Sequence, residues 1–128
     1  MPKKIFLLFI FGSLLTIFLT ACSPGGSAQA IEDYIKALTA KDGDALTNLS
    51  CAAWEAGAKN ELTSFESVDV RLVGPSCEVT DRDGEFTVVH CEGTIYATYE
   101  GEDRPLNLSA KDYLAVQEGG EWRMCGYK

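Results

Sequence analysis

The fold is decided by residues 77–91, which read CEVTDRDGEFTVVHC. The central DRDG sequence, residues 81–84, is a turn signal, and strand-forming residues lie on both sides of it. An antiparallel hairpin around this turn brings Cys77 and Cys91 opposite each other, within about one residue of register. The stretch therefore predicts a β-hairpin that a disulfide can cross.

The period-two pattern of this hairpin continues from residue 67 to the end of the chain. Turn signals containing glycine interrupt the pattern at regular intervals. We predict four strands, which are Ser67 to Thr80, Glu85 to Tyr99, Pro105 to Gln117 and Glu121 to Tyr127. Short turns between consecutive strands predict an antiparallel sheet.

The second predicted strand has two faces of different character. Alternation places mainly apolar side chains on one face and polar or aromatic ones on the other. The first face carries Val89, Cys91, Ile95 and Ala97, and the second carries His90, Glu92, Thr94 and Tyr96. We expect the first face to pack against helices and the second to be wetter.

The chain before residue 66 has helical periodicity instead. Ile31, Tyr34, Ile35 and Leu38 recur at helical spacing, which predicts an amphipathic first helix. The predicted helices are Ala30 to Ala40, a short one through Leu49 with Asp44 as its cap, and a weaker one from Cys51 to Leu62. Helices followed by a long antiparallel meander predict an α+β fold in which the helices cover a curved four-stranded sheet.

The first residues of the chain have the features of an export signal. Lys3 and Lys4 precede an apolar run from Ile5 to Leu19. The sequence LTAC at residues 19–22 resembles the lipobox of bacterial lipoproteins. The resemblance implies a signal peptide over residues 1–21 and an acylated Cys22.

A lipid on Cys22 places the protein in the bacterial cell envelope, anchored to a membrane on its extracytoplasmic side. Residues 22–29 would then be the lipidated cysteine and a flexible Gly/Ser tether. The alternative is a transmembrane anchor. The run from Ile5 to Thr20 is shorter than the roughly 20 apolar residues that a spanning helix needs, which favours the lipoprotein.

The remaining cysteines, Cys51, Cys77, Cys91 and Cys125, allow three disulfide pairings. The hairpin geometry favours Cys77–Cys91, which leaves Cys51–Cys125 to tie the helical half to the last strand. Zinc is the competing use of four cysteines, but the spacings contain no CxxC and an exported setting favours bridges. We predict two disulfides, no metal and no cofactor.

The charge of the chain argues against nucleic acid as a partner. The formal net charge is −8, and loss of Lys3 and Lys4 with the predicted signal peptide makes it −10. Phosphate binding requires clustered lysine and arginine, whereas the cationic residues are dispersed here. The acidic surface is typical of a soluble domain.

Both ends of the predicted domain, residues 30–128, resemble one superfamily. Residues 31–42, IEDYIKALTAKD, resemble the opening helix of the NTF2-like (cystatin-like, SnoaL-like) superfamily. Residues 119–126, GGEWRMCG, are similar to the last strand of its small exported members. The resemblance implies a cone-shaped sheet wrapped by helices around a cavity.

The superfamily contains ketosteroid isomerase, which implies a set of catalytic candidates. Tyr34 resembles the oxyanion-hole tyrosine of that enzyme and Asp112 its protonated aspartate, and both groups can donate to an enolate oxygen. Where the family has its general base, Glu55 is the only carboxylate. The alternative is a core role for Tyr34 and a water-facing position for Asp112.

Histidine can gain and lose a proton near neutral pH, so the single histidine, His90, is a candidate for proton transfer. Alternation places it opposite the core face, and Glu92 is the one carboxylate partner that the sequence suggests. A surface position is therefore the expectation for His90.

The incomplete catalytic set predicts a non-enzymatic, membrane-anchored domain that binds a small apolar ligand in its cone or an envelope protein through its open sheet face. The alternative is a lyase or isomerase that uses Tyr34 and Asp112. A homodimer through the sheet surface is a third hypothesis, for which exposed Tyr96 and Tyr99 would be suitable.

Overall fold

The structure of the protein is a computed structural model that describes residues 26–128. Within this range the chain forms three α-helices and an open antiparallel sheet of five strands. The predicted α+β class is confirmed, and the sheet has one strand more than predicted. The predicted signal peptide, residues 1–21, and the predicted lipidation site at Cys22 lie outside the described residues.

The helices occupy the first half of the described chain. They span Gly26–Thr39 (α1), Gly43–Asn48 (α2) and Glu55–Phe65 (α3), and a 3-10 turn at Ala52–Trp54 precedes α3. The side chain of Asp42 caps α2 by accepting from the backbone N–H of Ala45 at 3.1 Å. The predicted cap, Asp44, already lies inside the first turn, so that prediction was wrong.

The first helix begins earlier than the sequence predicts. Gly26, the first residue that the structure describes, is already helical, so residues 26–29 of the predicted tether belong to α1. Gly26 lies against the indole of Trp122, and Ala28 is buried. These tertiary contacts override the low helix propensity of glycine, which the sequence pattern alone cannot show.

The strands form one sheet after the helices. They span Asp69–Asp83 (β1), Phe86–Tyr99 (β2), Glu102–Asn107 (β3), Tyr113–Glu118 (β4) and Glu121–Tyr127 (β5). The sheet order is β1-β2-β4-β5, and β3 also pairs with β2. All pairings between neighbouring strands are antiparallel.

The predicted third strand, Pro105 to Gln117, is two strands in the structure. A 3-10 turn at Leu108–Ala110 interrupts it, and Leu108 turns into the core with 4% of its surface exposed. As a result β3 pairs with the second half of β2 and β4 with the first half. The 3-10 turn, with its buried leucine, thus divides the predicted strand in two.

The hairpin that decides the fold has the predicted register. Cys77 and Cys91 are Cα partners in the β1–β2 ladder, and a disulfide joins them. The pairing shifts register between Val73 and Ser76. Gly93 faces this irregularity, and a side chain there would meet the backbone oxygen of Gly74 at 2.8 Å.

The second disulfide, Cys51–Cys125, ties the chain before α3 to β5. Backbone hydrogen bonds accompany it: Met124 N donates to Leu49 O at 2.7 Å, and Cys51 N donates to Met124 O at 2.8 Å. The two disulfides are the pairing that the hairpin argument favours.

The core lies between α1 and the apolar face of β2. The stripe of α1, Ile31, Tyr34, Ile35 and Leu38, is buried, as are Val89, Cys91, Ile95 and Ala97 of β2. Both predicted core faces are therefore confirmed. Among residues 26–128, no helix combines the length and apolar character needed to cross a membrane.

Candidate functional site

A cavity of about 280 Å³ lies between α1, α3 and the sheet. One part of its wall is apolar and is formed by Ile35, Leu38, Phe65, Ile95, Leu106 and Leu108. The other part is polar and includes Tyr34, Glu61, Asn107, Lys111, Tyr113 and Tyr127. The polar groups gather around a single carboxylate, which makes this cavity the candidate site.

The carboxylate of Glu61 is the centre of a hydrogen-bond network. Tyr34 Oη donates to Glu61 Oε2 at 2.6 Å, and Tyr127 Oη donates to Glu61 Oε1. Trp54 Nε1 in turn donates to Tyr34 Oη at 2.9 Å. Hydrogen bonds to an ionised acceptor are stronger than neutral ones, so the network holds the helices and the last strand in one arrangement.

Four elements supply the members of this network. Tyr34 comes from the buried stripe of α1, Trp54 from the 3-10 turn, Glu61 from α3 and Tyr127 from the end of β5. The Tyr127 ring packs edge-on against Trp54, with centroids 5.5 Å apart, and lies 5.1 Å from the ring of Tyr113. The aromatic contacts thus fix the position of the Tyr127 phenol, and the hydrogen bond from Trp54 fixes that of the Tyr34 phenol.

The phenols of the cavity stay neutral over the physiological pH range. Burial, followed by the hydrogen bond to Glu61, raises the pKa of Tyr34 well above its ordinary value. Burial and the charge of Glu61 raise the pKa of Tyr127 in the same way. The same two causes raise the pKa of Tyr113 to about 12. All three hydroxyls therefore keep their protons, and Tyr34 and Tyr127 donate theirs to Glu61.

Lys111 lies at the exposed edge of the cavity. Its Nζ atom is 4.0 Å from the centroid of the Tyr127 ring, a cation–π contact. No cationic side chain of residues 26–128 forms an ion pair with Glu61. The cavity therefore combines an anionic centre with one cation at its rim.

The structure brings only one of the isomerase candidates into the cavity. Tyr34 lines it, but its hydroxyl donates to Glu61. Asp112 does not line the cavity; its side chain is 41% exposed and its carboxylate contacts His90. Glu55 is exposed and lines a groove beside α2. The four catalytic candidates, Tyr34, Asp112, Glu55 and His90, therefore do not lie together in one site.

Glu61 is the carboxylate that the sequence analysis missed. It belongs to a stripe with the N-cap Trp54, the buried Ala58 and the buried Phe65, at the spacing i, i+4, i+7, i+11. A carboxylate inside an otherwise apolar stripe was the available signal. The weak amphipathicity of this helix, which Gly57 interrupts, concealed it.

His90 has two carboxylate partners rather than the one expected. Its Nδ1 lies 2.9 Å from Asp112 Oδ1 and its Nε2 lies 3.0 Å from Glu92 Oε1. The hydrogen bond with Asp112, then the one with Glu92, raises the pKa of His90. Asp112 reaches His90 because Tyr113, the next residue, pairs with Val89 of β2.

Metal ligation has little support in the described part of the chain. Cys51, Cys77, Cys91 and Cys125 form disulfides and are not free as zinc ligands. Residues 26–128 contain no group of three or more His, Cys, Asp or Glu side chains that could hold a metal ion.

No family model matches the chain, and no curated protein matches its sequence. The chemistry of the cavity is therefore the guide to function. Apolar walls can hold an uncharged body, and the Glu61 network can recognise a polar group at one end.

Proposed function

We propose that this protein is a lipid-anchored lipoprotein of the bacterial cell envelope with an NTF2-like domain that binds a small, largely apolar ligand. The cavity between α1, α3 and the sheet carries this proposal. Its volume, about 280 Å³, lies just below the usual range for ligand pockets, about 300–1,000 Å³. A small ligand is therefore the occupant that fits.

The order of the elements supports the NTF2-like assignment. Three helices come first, α1 packs across the sheet, and the cavity opens between the helices and the strands. Helices that cover the sheet beside a cavity are among the features that the resemblance of residues 31–42 and 119–126 implies, and they support the assignment.

The lipobox resemblance at residues 19–22 supports the membrane anchor. Residues 26–29 of the predicted tether are helical, which leaves at most residues 22–25 as its flexible part. The domain would accordingly stay closer to the lipid headgroups than a flexible tether of residues 22–29 would allow.

The contacts of Tyr34 and Asp112 favour a binding role over the isomerase alternative. Its oxyanion hole needs Tyr34 and Asp112 as donors on one substrate oxygen. The Tyr34 hydroxyl instead donates to Glu61, and the Asp112 carboxylate is bonded to His90 away from the cavity lining. A binding role uses the observed contacts without rearranging them.

A substitution that fills the cavity tests the proposed binding role. Ala110 lines the cavity and its neighbour Ser109 is exposed and does not, so Ala110→Phe and Ser109→Phe form a matched pair. The mature chain, residues 22–128 with Cys22→Ser, is titrated with hexan-1-ol and followed by NMR. We expect saturable shifts at cavity residues in the wild-type and Ser109→Phe chains and none in Ala110→Phe. Identical titrations of both variants would contradict the proposal.

A further inference from the structure

The polar end of the cavity carries a carboxylate that is not paired with a cation of the described residues. Glu61 is the one carboxylate among the described residues that line it, and no cationic side chain of residues 26–128 forms an ion pair with this group. Each of its oxygens accepts one phenol hydroxyl. A carboxylate oxygen has a further lone pair, so each can accept one more donor.

The aromatic part of the wall accepts a cation. Lys111 Nζ lies 4.0 Å from the centroid of the Tyr127 ring, within the distance at which the face of an aromatic ring attracts an ammonium group. Lys111 is exposed, and its flexible side chain can leave this face. The ring itself is held in place by Trp54 and Tyr113.

We propose that the ligand of this cavity is a small amine with an apolar body, bound in its protonated form; this rests on the binding role proposed above. The ammonium group donates to the Glu61 carboxylate and lies beside the Tyr127 ring. The apolar body packs against Leu38, Phe65 and Leu108. Lys111 competes with the ligand for the face of Tyr127.

An anionic head group fits the same cavity poorly. The hydroxyls of Tyr34 and Tyr127 already donate to Glu61, so they do not serve a second anion. Glu61 repels such a group, and Lys111 is the one cationic side chain among the described residues that line the cavity. The net negative charge, −8 for the full sequence and −10 without Lys3 and Lys4, also raises the local concentration of cations and lowers that of anions.

Three probes with the same six-carbon chain test the head group. The mature chain with Cys22→Ser contains the whole described core and both disulfides, and is titrated at pH 7 with hexylammonium, hexan-1-ol and hexanoate. Chemical shifts of cavity residues and of the Trp54 indole N–H report binding. We expect hexylammonium to bind at least about tenfold more tightly than hexan-1-ol, and hexanoate to bind most weakly.

Two substitutions locate the source of this preference. Glu61→Gln keeps an acceptor for the phenols and removes the charge, so the affinity for hexylammonium should fall to within about threefold of that for hexan-1-ol. Lys111→Gln removes the competing ammonium and should tighten hexylammonium binding by about threefold or more. Lys59→Gln, an exposed position on α3 outside this cavity, is the matched charge control and should have a smaller effect.

The outcomes separate the two proposals. Tighter binding of hexanoate than of hexylammonium, or a preference that survives Glu61→Gln, overturns the amine proposal and leaves the binding role standing. Weaker binding of hexylammonium to Lys111→Gln than to wild type also overturns the amine proposal. This comparison remains decisive if Glu61→Gln fails to fold. Absence of binding by all three probes overturns both proposals.

Discussion

The hydroxyl of Tyr34 donates a 2.6 Å hydrogen bond to the carboxylate of Glu61, which joins α1 to α3 at the wall of the cavity. The two residues are 27 positions apart in the sequence. The same carboxylate accepts from Tyr127 at the end of β5, so one side chain connects both helices to the last strand. The cavity therefore depends on this network for its shape as well as for its charge.

Removing the Tyr34 hydroxyl should destabilise the fold. Tyr34→Phe deletes the donor to Glu61 and the acceptor of Trp54 Nε1, which should lower the free energy of unfolding by about 1–3 kcal/mol. Urea unfolding measures the loss. Tyr99→Phe, at an exposed position, is the control and should change stability by less than about 0.5 kcal/mol. Equal stability of the two variants would refute a structural role for the Tyr34 hydroxyl.

Adding one methyl group at Gly57 should damage the network indirectly. A Cβ atom there would lie 2.6 Å from the Trp54 ring, so Gly57→Ala must displace the indole that donates to Tyr34. We expect a net destabilisation of about 1–3 kcal/mol, although alanine favours helix by about 1 kcal/mol. Thermal unfolding and tryptophan fluorescence detect the change. A more stable variant with unchanged fluorescence would show that the contact is not restrictive.

The two disulfides should contribute unequally to stability. Cys51–Cys125 closes a separation of 74 residues and Cys77–Cys91 one of 14. In the chain-entropy model these loops are worth roughly 4–5 and 3 kcal/mol, respectively. Paired serine variants, each lacking one disulfide and compared by urea unfolding, should differ by about 1 kcal/mol or more. A larger loss from the hairpin disulfide would contradict the model for this protein.

His90 should make stability depend on pH. Asp112 and Glu92 raise the pKa of His90 in the folded state. The stabilisation that results is fully present below the unfolded pKa, about 6.5, and is lost as pH rises through the higher folded value. NMR titration of the ring should give a folded pKa above about 6.5. His90→Gln should be less stable than wild type near pH 5.5 and converge with it at alkaline pH.

Asp112→Asn should lower the pKa of His90, because this carboxylate makes the larger contribution. Glu78→Gln is the matched control, since Glu78 is the cross-strand partner of His90 and its carboxylate forms no hydrogen bond with the ring. An equal change in both variants would point to general charge rather than to the Asp112 contact.

The sequence predicts the local parts of this fold well. The hairpin at residues 77–91 follows from its turn and its alternation, and the buried stripe of α1 follows from its spacing. The break in the predicted strand Pro105 to Gln117 does not, because the inward turn of Leu108 is a tertiary event. The sequence does not predict helix at residues 26–29 for the same reason, since Gly26 lies against Trp122 from the far end of the chain.

The candidate site is harder to predict from the sequence than the fold is. Tyr34 can be found because it lies on a strong apolar stripe. Glu61 lies on the weakest helix, and its partners Tyr34 and Tyr127 are 27 and 66 residues away. The contact of His90 with Asp112 spans 22 residues and requires the pairing of β2 with β4. No local pattern encodes contacts of this range.

Native mass spectrometry of the mature chain, recovered from an oxidising compartment, tests the binding role most directly. The account predicts two disulfides and a single small molecule of one discrete mass on the Ser109→Phe control, with that molecule missing from Ala110→Phe. A control chain that carries no small molecule, and that is dimeric with the same two disulfides, would contradict it. The sheet face, rather than the cavity, would then be the working surface of this protein.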